Sequence, residues 1–312
     1  MSVNQALPAV SVPGRATPAA RPAPAARPRR RPDRMLPTFI APAFILYGVF
    51  VLAALLIALI LSFTNWPVGG SISFAGLANW SSFFSGPGLH TVVVTAEVIG
   101  MSLVLQIPLS IALGIFAAGP QRYRAVLSWI YVLPLLVSPT GIAITWARFF
   151  DPTFGALTPV VRQAWLSNSH LAPVIVTLVF SWRIVPFYMI LVQSAVRTIP
   201  KELTEAALLD GASNAQRLRH VILPQLRHTM VVVTIMCVTG GLTAFDLYYV
   251  MTGGGPDGAT STLAVGVYLK AFADQALGAA SVYAVVVSGL GVAMAALVSR
   301  ITGFGAMKSQ RA

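Results

Sequence analysis

Charged residues are scarce in this chain. Asp, Glu, Lys and Arg make up 10% of its 312 residues, whereas 56% are apolar, and the mean hydropathy is +0.76. An average soluble domain carries about 25% charged residues. Because so few charges cannot cover a soluble surface, the composition indicates an integral membrane protein.

Cysteine and the common catalytic motifs are also rare or missing. Cys237 is the only cysteine and lies in an apolar stretch, so we expect a packing role for it and neither a disulfide framework nor a cysteine metal cluster. The four histidines lack the i, i+4 spacing of a helical metal site. Residues 303–309 come nearest to a phosphate-binding loop, but Met307 stands where that loop needs glycine. With no nucleophile elbow or dinucleotide fingerprint either, we expect no catalytic residue, metal site or bound cofactor in this chain.

What the chain does contain is long apolar stretches. A membrane span needs roughly 20 mostly apolar residues to cross about 30 Å of hydrocarbon. Six stretches meet this requirement: 36–63, 91–117, 125–149, 173–196, 229–250 and 279–301. The sequence therefore predicts an all-α, polytopic protein with six transmembrane helices, and an even number of spans leaves both termini on one side.

The basic residues predict which side that is. The net charge of +12 and the pI near 10.7 could suggest nucleic-acid binding, but 17 of the 21 Lys and Arg residues lie on one side of the predicted spans. The predicted loop 64–90 on the other side contains none. Because cytoplasmic loops are enriched in Lys and Arg, we expect both termini and the loop 200–224 to be cytoplasmic, and we expect no nucleic-acid partner.

The ends of the chain differ from its apolar middle. Residues 1–34 are rich in Pro, Ala and Arg and have no apolar period, so we expect a disordered tail, followed by a six-span domain over 35–306 and a short tail over 307–312. A cleavable signal peptide has an apolar core of about 7–15 residues, and the first apolar run here is longer. The arginines fit orientation in the membrane and attraction to anionic lipids, with a regulatory or partner-binding tail as the alternative.

The loop 200–224 is a polar, charged segment between two predicted spans. Pro200 suits a first helical turn, and Glu202 and Glu205 would place negative charge near the positive end of that helix. Asp210-Gly211 then predicts a turn, since glycine tolerates the left-handed conformation that ends helices. These residues predict a short first helix that ends at Gly211.

A second short helix is predicted after that turn. Ser213 and Gln216 have the spacing of a capping box, and Pro224 is expected to end the helix. From these patterns alone the helix pair could lie on the membrane surface or bind a partner.

The same loop resembles the EAA loop of ABC-importer permeases. The matching residues are Glu205-Ala206-Ala207, Gly211 and Leu223-Pro224, with Val221 where the pattern favours Ile. The resemblance extends over roughly residues 77–283 and includes the run 245–256, Phe-Asp-Leu-Tyr-Tyr-Val-Met-Thr-Gly-Gly-Gly-Pro. Together these segments are similar to the carbohydrate-type permeases of bacterial ABC importers, and in particular to the first of the two permeases that such systems contain.

The resemblance implies a fold, a set of partners and a coupling site. The fold would be the transmembrane domain of a type I ABC importer in the inner membrane. The partners would be a second six-span permease, two copies of a cytoplasmic ABC ATPase that bind ATP and Mg, and an extracytoplasmic solute-binding protein. The residues implied in coupling to the ATPase are Glu205, Ala206, Ala207, Asp210, Gly211, Leu223 and Pro224.

Residues for the solute pathway are predicted from chemistry. Ionisable groups inside spans are costly, which indicates Glu97, Arg183 and Asp246, although each could be a structural ion pair or a snorkelling group. Aromatic side chains that could stack on sugar rings add Trp182, Tyr188, Tyr248 and Tyr249, although aromatics also pack and lie at interfaces. Prolines inside spans could kink helices beside the pathway; these are Pro108, Pro134, Pro139 and Pro186.

Two other classes of protein remain as alternatives at this point. An ion-coupled secondary transporter or other channel could also have six spans, but inverted repeats would be expected, and the long polar loop occurs once. A membrane enzyme would need a polar catalytic cluster, and the sequence contains only isolated groups. Arg183 by itself is compatible with either a neutral sugar or a phosphorylated solute.

Overall fold

A computed structural model of the protein describes residues 36–67, 69–156 and 163–301, which are mostly helical. By its internal contacts the chain divides into two units, Met1–Phe50 and Val51–Ala312. The described part of the first unit is helical, and the paragraphs below concern the second unit except where stated. The predicted tails 1–34 and 307–312 lie outside the described residues.

The described chain contains helices of very different lengths and one small hairpin. In chain order they are α1 (Leu36–Tyr47), α2 (Ala53–Leu61), β1 (Thr64–Asn65), β2 (Ser73–Phe74), α3 (Ala78–Ser85), α4 (Pro87–Ala117), α5 (Arg122–Leu136), α6 (Pro139–Phe149), α7 (Leu171–Arg197), α8 (Lys201–Leu209), α9 (Asn214–Arg217), α10 (Leu223–Leu242), α11 (Asp246–Thr252), α12 (Leu263–Tyr268) and α13 (Leu277–Ile301). Widened π-helical turns cover Gly48–Leu52, Leu218–Ile222 and Leu269–Ala273, and a 3-10 turn covers Trp165–Ser167. Strand β1 pairs with β2 in antiparallel register, Thr64 opposite Phe74.

The predicted helical, multi-span class is confirmed. Within the described residues, five helices are long and apolar enough to cross a membrane, and α5 with α6 makes a sixth if this bent pair counts as one span. The five are Ile40–Leu61, Pro87–Ala117, Leu171–Arg197, Asn214–Thr252 and Leu277–Val298.

The predicted span 125–149 differs from a single straight helix. Helices α5 and α6 meet at an angle of 98°, with the break at Val137 and Ser138. Both residues adopt extended ψ angles, and Pro139 begins α6. A proline disfavours helical geometry in the residue before it, which explains the position of the break. The kink expected at Pro139 is thus present, whereas Pro108, Pro134 and Pro186 lie inside continuous helices.

The predicted span 229–250 also differs from the structure. Helix α10 begins earlier, at Leu223, and ends at Leu242, and a non-helical step at 243–245 separates it from α11. Asp246 is therefore the first residue of α11, after the non-helical step within the candidate span Asn214–Thr252. A carboxylate at this position is favoured by the positive end of the α11 dipole.

The core of the bundle lies around α4, α7 and α10. A Cβ on Gly114 of α4 would approach Val192 of α7 to 2.6 Å, so the two helices pack closely at this glycine. Deeper in the bundle, Gln106 Nε2 donates to Ser181 Oγ at 3.2 Å, and Cys237 Sγ donates to Gln106 Oε1 at 3.2 Å. All three side chains are buried, and these bonds link the three helices where an unpaired polar group would be costly.

Candidate coupling surface and solute cavity

The turn between α8 and α9 has the geometry that the sequence predicts. Gly211 has φ +77°, its N–H donates to the Leu208 carbonyl at 3.0 Å, and the Ala212 N–H donates to the Ala207 carbonyl at 2.9 Å. These two bonds form a Schellman motif, which satisfies carbonyls that the end of α8 would leave unpaired. Asp210 is the C-cap residue of α8. A glycine is favoured at the left-handed position because it has no Cβ.

The start of α9 also matches its prediction. The Ser213 N–H donates to Gln216 Oε1 at 2.8 Å, and the Gln216 N–H donates to Ser213 Oγ at 3.3 Å, which forms the predicted capping box. At the other end of the segment the prediction for Pro224 was wrong. This proline lies in the first turn of α10, so the chain remains helical from α9 through the widened turn into the span. The π-helical turn just before Pro224 accommodates a residue that has no N–H and would crowd a preceding carbonyl.

Helices α8 and α9 present their side chains to the outside. Neither helix contains a buried residue. Glu205, Asp210 and Gly211 are exposed, and Leu209 is 89% exposed. Ala206 and Pro224 are exposed as well, whereas Ala207 and Leu223 are half-buried. Exposed leucines on a polar helix outside the apolar spans indicate a surface for a protein partner.

Helices α8 and α9 come directly after the end of α7, where several basic side chains lie. Gln193 Nε2 and Arg197 Nη2, near the end of α7, donate to the Ala117 carbonyl at the end of α4, at 2.8 and 3.4 Å. Arg124 Nη1 donates to the Phe116 carbonyl at 3.1 Å. These donors pair with carbonyls that the helix end leaves free and complement its negative dipole. Basic side chains and the α8–α9 surface therefore lie at the same end of α7.

A cavity lies between α7, α10 and the start of α11. It has a volume of about 300 Å³. Its lining is mostly apolar and aromatic, and it also includes Arg183, Thr243 and Asp246. An apolar pocket with a few polar groups is the common form of a small-molecule site. The structure thus brings together two of the three ionisable residues that the sequence indicates.

Arg183 and Asp246 do not neutralise each other. Within the described residues no ion pair joins them, and Arg183 Nε is buried without a hydrogen-bond partner. Asp246 is exposed. An unpaired buried donor is costly, so Arg183 stays a candidate for the solute pathway. Glu97 is exposed on α4 and does not line this cavity.

The four aromatic candidates fall in different places. Tyr188 and Tyr248 border the cavity, but they are only 2% and 0% exposed, and the Tyr248 hydroxyl lies 2.8 Å from Thr177 Oγ1. These contacts give both tyrosines a packing role in addition to any contact with solute. Trp182 lies outside the cavity, on an apolar groove of about 420 Å³ between α4, α5 and α7. Tyr249 lies outside it too, one helical turn above Phe245.

The far end of the bundle carries structured loops. Gly253 and Gly254 have φ +64° and +88°, and Thr260 Oγ1 donates to the Gly255 carbonyl at 2.7 Å. These residues therefore form a turn after α11. In the loop after α6, the N–H groups of Phe154 and Thr153 both donate to Asp151 Oδ1. These two bonds lower the pKa of the Asp151 carboxyl, and the bond from Phe154 has the larger effect.

Sequence reasoning missed several elements of these sites. Phe245 lines the cavity next to Asp246, and it contacts Tyr268, which belongs to a helix that the sequence did not predict. Helix α12 and the widened turn after it are too short to give a span signal. The aromatic residues at 268 and 272, spaced i, i+4, were the available signal for a helical face.

An apolar helical bundle with an exposed helix pair at its basic end and a lined cavity among its spans has the features of a membrane permease. Comparison with known proteins defines the class further. Residues 106–303 match the family model described as binding-protein-dependent transport system inner membrane component. The chain belongs to this family. It is therefore a multi-pass inner-membrane permease subunit of a binding-protein-dependent ABC transport system, and not an enzyme.

Individual relatives agree with this assignment. A probable ABC transporter permease protein of Pyrococcus horikoshii is 32% identical, over 78% of this chain and 88% of its own. The diacetylchitobiose uptake system permease protein NgcF of Streptomyces coelicolor is 30% identical, over 96% and 94%. Among solved structures, a bacterial alginate ABC transporter has a chain with TM-score 0.75 and 17% identity, covering 86% of this chain and 93% of that one. The fold is thus that of a type I ABC-importer permease, and the alternative of an ion-coupled secondary transporter is not favoured.

Proposed function

We propose that this chain imports a saccharide, and that it couples transport to ATP hydrolysis through the surface formed by α8 and α9. In this proposal a second permease completes the pathway, two ABC ATPase subunits bind ATP and Mg on the cytoplasmic side, and a solute-binding protein delivers the solute from outside. Both termini are cytoplasmic. Saccharides are proposed because the relative NgcF is named for diacetylchitobiose uptake.

The exposed α8–α9 surface carries the coupling part of the proposal. Leu209 is 89% exposed on a helix that begins four residues after a membrane-spanning helix ends. Full burial of a leucine stabilises an association by about 1.5–3 kcal/mol. Glu205 lies one helical turn before Leu209 on α8 and adds a charge that a partner can recognise. Because both ends of the turn are fixed by the Schellman motif and the capping box, the surface is already ordered for docking.

Coupling follows from differential binding of two conformations. When ATP closes the ATPase dimer, a docked α8–α9 pair moves with it, and its helical continuity into α10 passes this movement to the span. Helix α10 lines the cavity that contains Arg183, and α11 starts there with Asp246. Movement of α10 would therefore change the shape of the proposed solute site.

A charge reversal at Glu205 tests the docking surface. Glu205→Lys is expected to reduce co-purification of the ATPase with the full chain and to reduce solute uptake at least tenfold, since it places a cation at the interface. The matched control is Glu202→Lys on the same helix. Glu202 lies in the first turn of α8, so its reversal removes a favourable dipole interaction of about 0.3–1 kcal/mol.

The two variants separate docking from helix stability. Stronger loss for Glu202→Lys than for Glu205→Lys would indicate that only the stability of α8 matters. Wild-type association and uptake in Glu205→Lys would contradict the proposed docking surface.

A further inference from the structure

A second, mostly apolar groove lies on the side of the bundle between α4, α5 and α7. Its volume is about 420 Å³. Each of the three helices contributes at least two lining residues, among them Leu113 and Phe116, Leu127 and Pro134, and Trp182 and Met189. Because Phe116, Leu127 and Trp182 are exposed, the groove is open to the surroundings of the bundle. We call it the α5 groove.

One stripe of α5 forms a wall of the α5 groove. Leu127, Ser128, Tyr131 and Pro134 line it, and Arg124 precedes them at the spacing that continues the same helical face. The ten residues from Arg124 to Pro134 extend about 15 Å along the helix. The hydrocarbon core of a bilayer is about 30 Å thick, so this stripe has the length of one leaflet. Arg124 stands at its end, where α4 also ends.

The Arg124 guanidinium is held at the mouth of the α5 groove. Its Nη1 donates to the Phe116 carbonyl at 3.1 Å, its Nε donates to the Tyr123 hydroxyl at 3.2 Å, and its central carbon lies 4.9 Å from the centre of the Phe116 ring. A Cβ on Gly119 would collide with this guanidinium, so the loop after α4 also packs against it. Contacts with a carbonyl, a hydroxyl and a ring position the cation without neutralising it. In the described parts of the chain no carboxylate forms an ion pair with Arg124.

The α5 groove therefore combines two chemistries at a fixed separation. Its length is apolar, which suits a hydrocarbon chain, and its mouth carries a positioned cation with N–H groups that suit a phosphate. Arg122 is exposed two residues before Arg124 and adds a second positive charge. A helix of another subunit could cover the apolar part, but it would have to bring a carboxylate to Arg124. An anionic phospholipid carries the hydrocarbon chain and the negative charge in one molecule.

We propose that the α5 groove binds one anionic phospholipid, with its phosphate on Arg124 and an acyl chain along α5 towards Pro134. The bound lipid would belong to the leaflet at the basic end of the bundle. This site is separate from the cavity that contains Arg183, since the two share no helix face, and it depends neither on the identity of the solute nor on which side of the membrane is cytoplasmic.

Native mass spectrometry counts the lipids that stay bound to the full chain, purified together with the transporter subunits that accompany it. The probes are palmitoyl-oleoyl phosphatidylglycerol and the phosphatidylcholine with the same acyl chains. We expect one phosphatidylglycerol to be retained about fivefold more strongly than phosphatidylcholine, the effect of one positioned basic residue on an anionic headgroup. Lipid that merely surrounds the bundle would show no such preference.

Two variants test the two halves of the site separately. Arg124→Gln is expected to abolish the fivefold preference, and its matched control is Arg219→Gln, which removes the same charge from an exposed position on the widened turn before α10. Ser128→Phe places a ring in the α5 groove and leaves every charge in place, so it is expected to lose the retained lipid by excluding the acyl chain. Thermal unfolding of each variant without added lipid shows whether it is folded.

Several results would overturn the proposed lipid site. Equal retention of the two phospholipids by the wild type would mean that lipid contact here is unspecific. An unchanged preference in folded Arg124→Gln, an equal loss in Arg219→Gln, or full retention in folded Ser128→Phe would each contradict the site. Phosphatidylglycerol that binds the chain alone and is absent from the assembled transporter would show that another subunit covers the groove, and the proposal would fail.

Discussion

The substitution Gly211→Val tests the turn on which the coupling surface depends. Gly211 has φ +77°, and a Cβ added there would meet no heavy atom within 4 Å of the free chain. The cost inside the chain is therefore backbone strain, about 1–2 kcal/mol for a left-handed L-residue, and a β-branched side chain lies at the upper end of this range. A cost of about 2 kcal/mol reduces the population of the native turn about 30-fold.

The fold of the bundle should persist, because no buried contact is disturbed at Gly211 and the apolar spans are unchanged. We expect normal amounts of Gly211→Val in the membrane, at least tenfold less ATPase co-purified with it, and abolished uptake. Gly211→Asn is expected to retain more association than Gly211→Val, since Asn tolerates the left-handed region.

Gly69 provides a matched control in the loop after α2. It has φ +81° and likewise no heavy atom within 4 Å of an added Cβ. Gly69→Val therefore introduces similar backbone strain at a position far from α8 in the sequence. The measurement is quantitative co-purification of the ATPase together with radiolabelled solute uptake. Wild-type association and uptake in Gly211→Val would contradict a role of this turn in coupling, and so would an equal loss of ATPase in Gly69→Val.

Two further predictions concern orientation and the outer loop. Ala207→Cys should be labelled by a membrane-impermeant thiol reagent only from the cytoplasmic side. Background labelling is not expected, because Cys237 is the only native cysteine and is fully buried. Labelling from outside intact cells would contradict the orientation. Gly254→Val should lower uptake while ATPase co-purification stays normal. The reason is that φ is +88° at Gly254 and an added Cβ would meet Val265 at 3.2 Å. Unchanged uptake would show that this loop is a turn with no part in transport.

The sequence predicted local structure best where a chemical signal lay within a few residues. Gly211 requires a left-handed turn, and Ser213 with Gln216 forms the capping box, so the helix pair was predicted almost to the residue. Pro224 was misread, because a proline ends a regular helix but lies readily after a widened turn, and a shift to π-helical hydrogen bonding has no clear sequence signal. Local patterns therefore predicted the elements but not their continuity.

The cavity proposed as the solute site was only partly predictable, since it depends on which helix faces meet. Arg183 and Asp246 were identified by their cost in an apolar environment, and both line the cavity. Glu97 met the same criterion but lies outside, because hydropathy does not indicate which way a residue faces within a bundle.

The most direct test of the coupling surface is site-specific photocross-linking in cells. A photoreactive amino acid replaces Leu209, which is 89% exposed, and in a second strain it replaces Phe74, which is 84% exposed on the hairpin after α2. We expect a cross-linked product between position 209 and a subunit whose peptides contain an ABC ATPase phosphate-binding loop, and no such product from position 74. Absence of this product from position 209, or its equal formation from position 74, would contradict the claim that α8 and α9 dock on the ATPase.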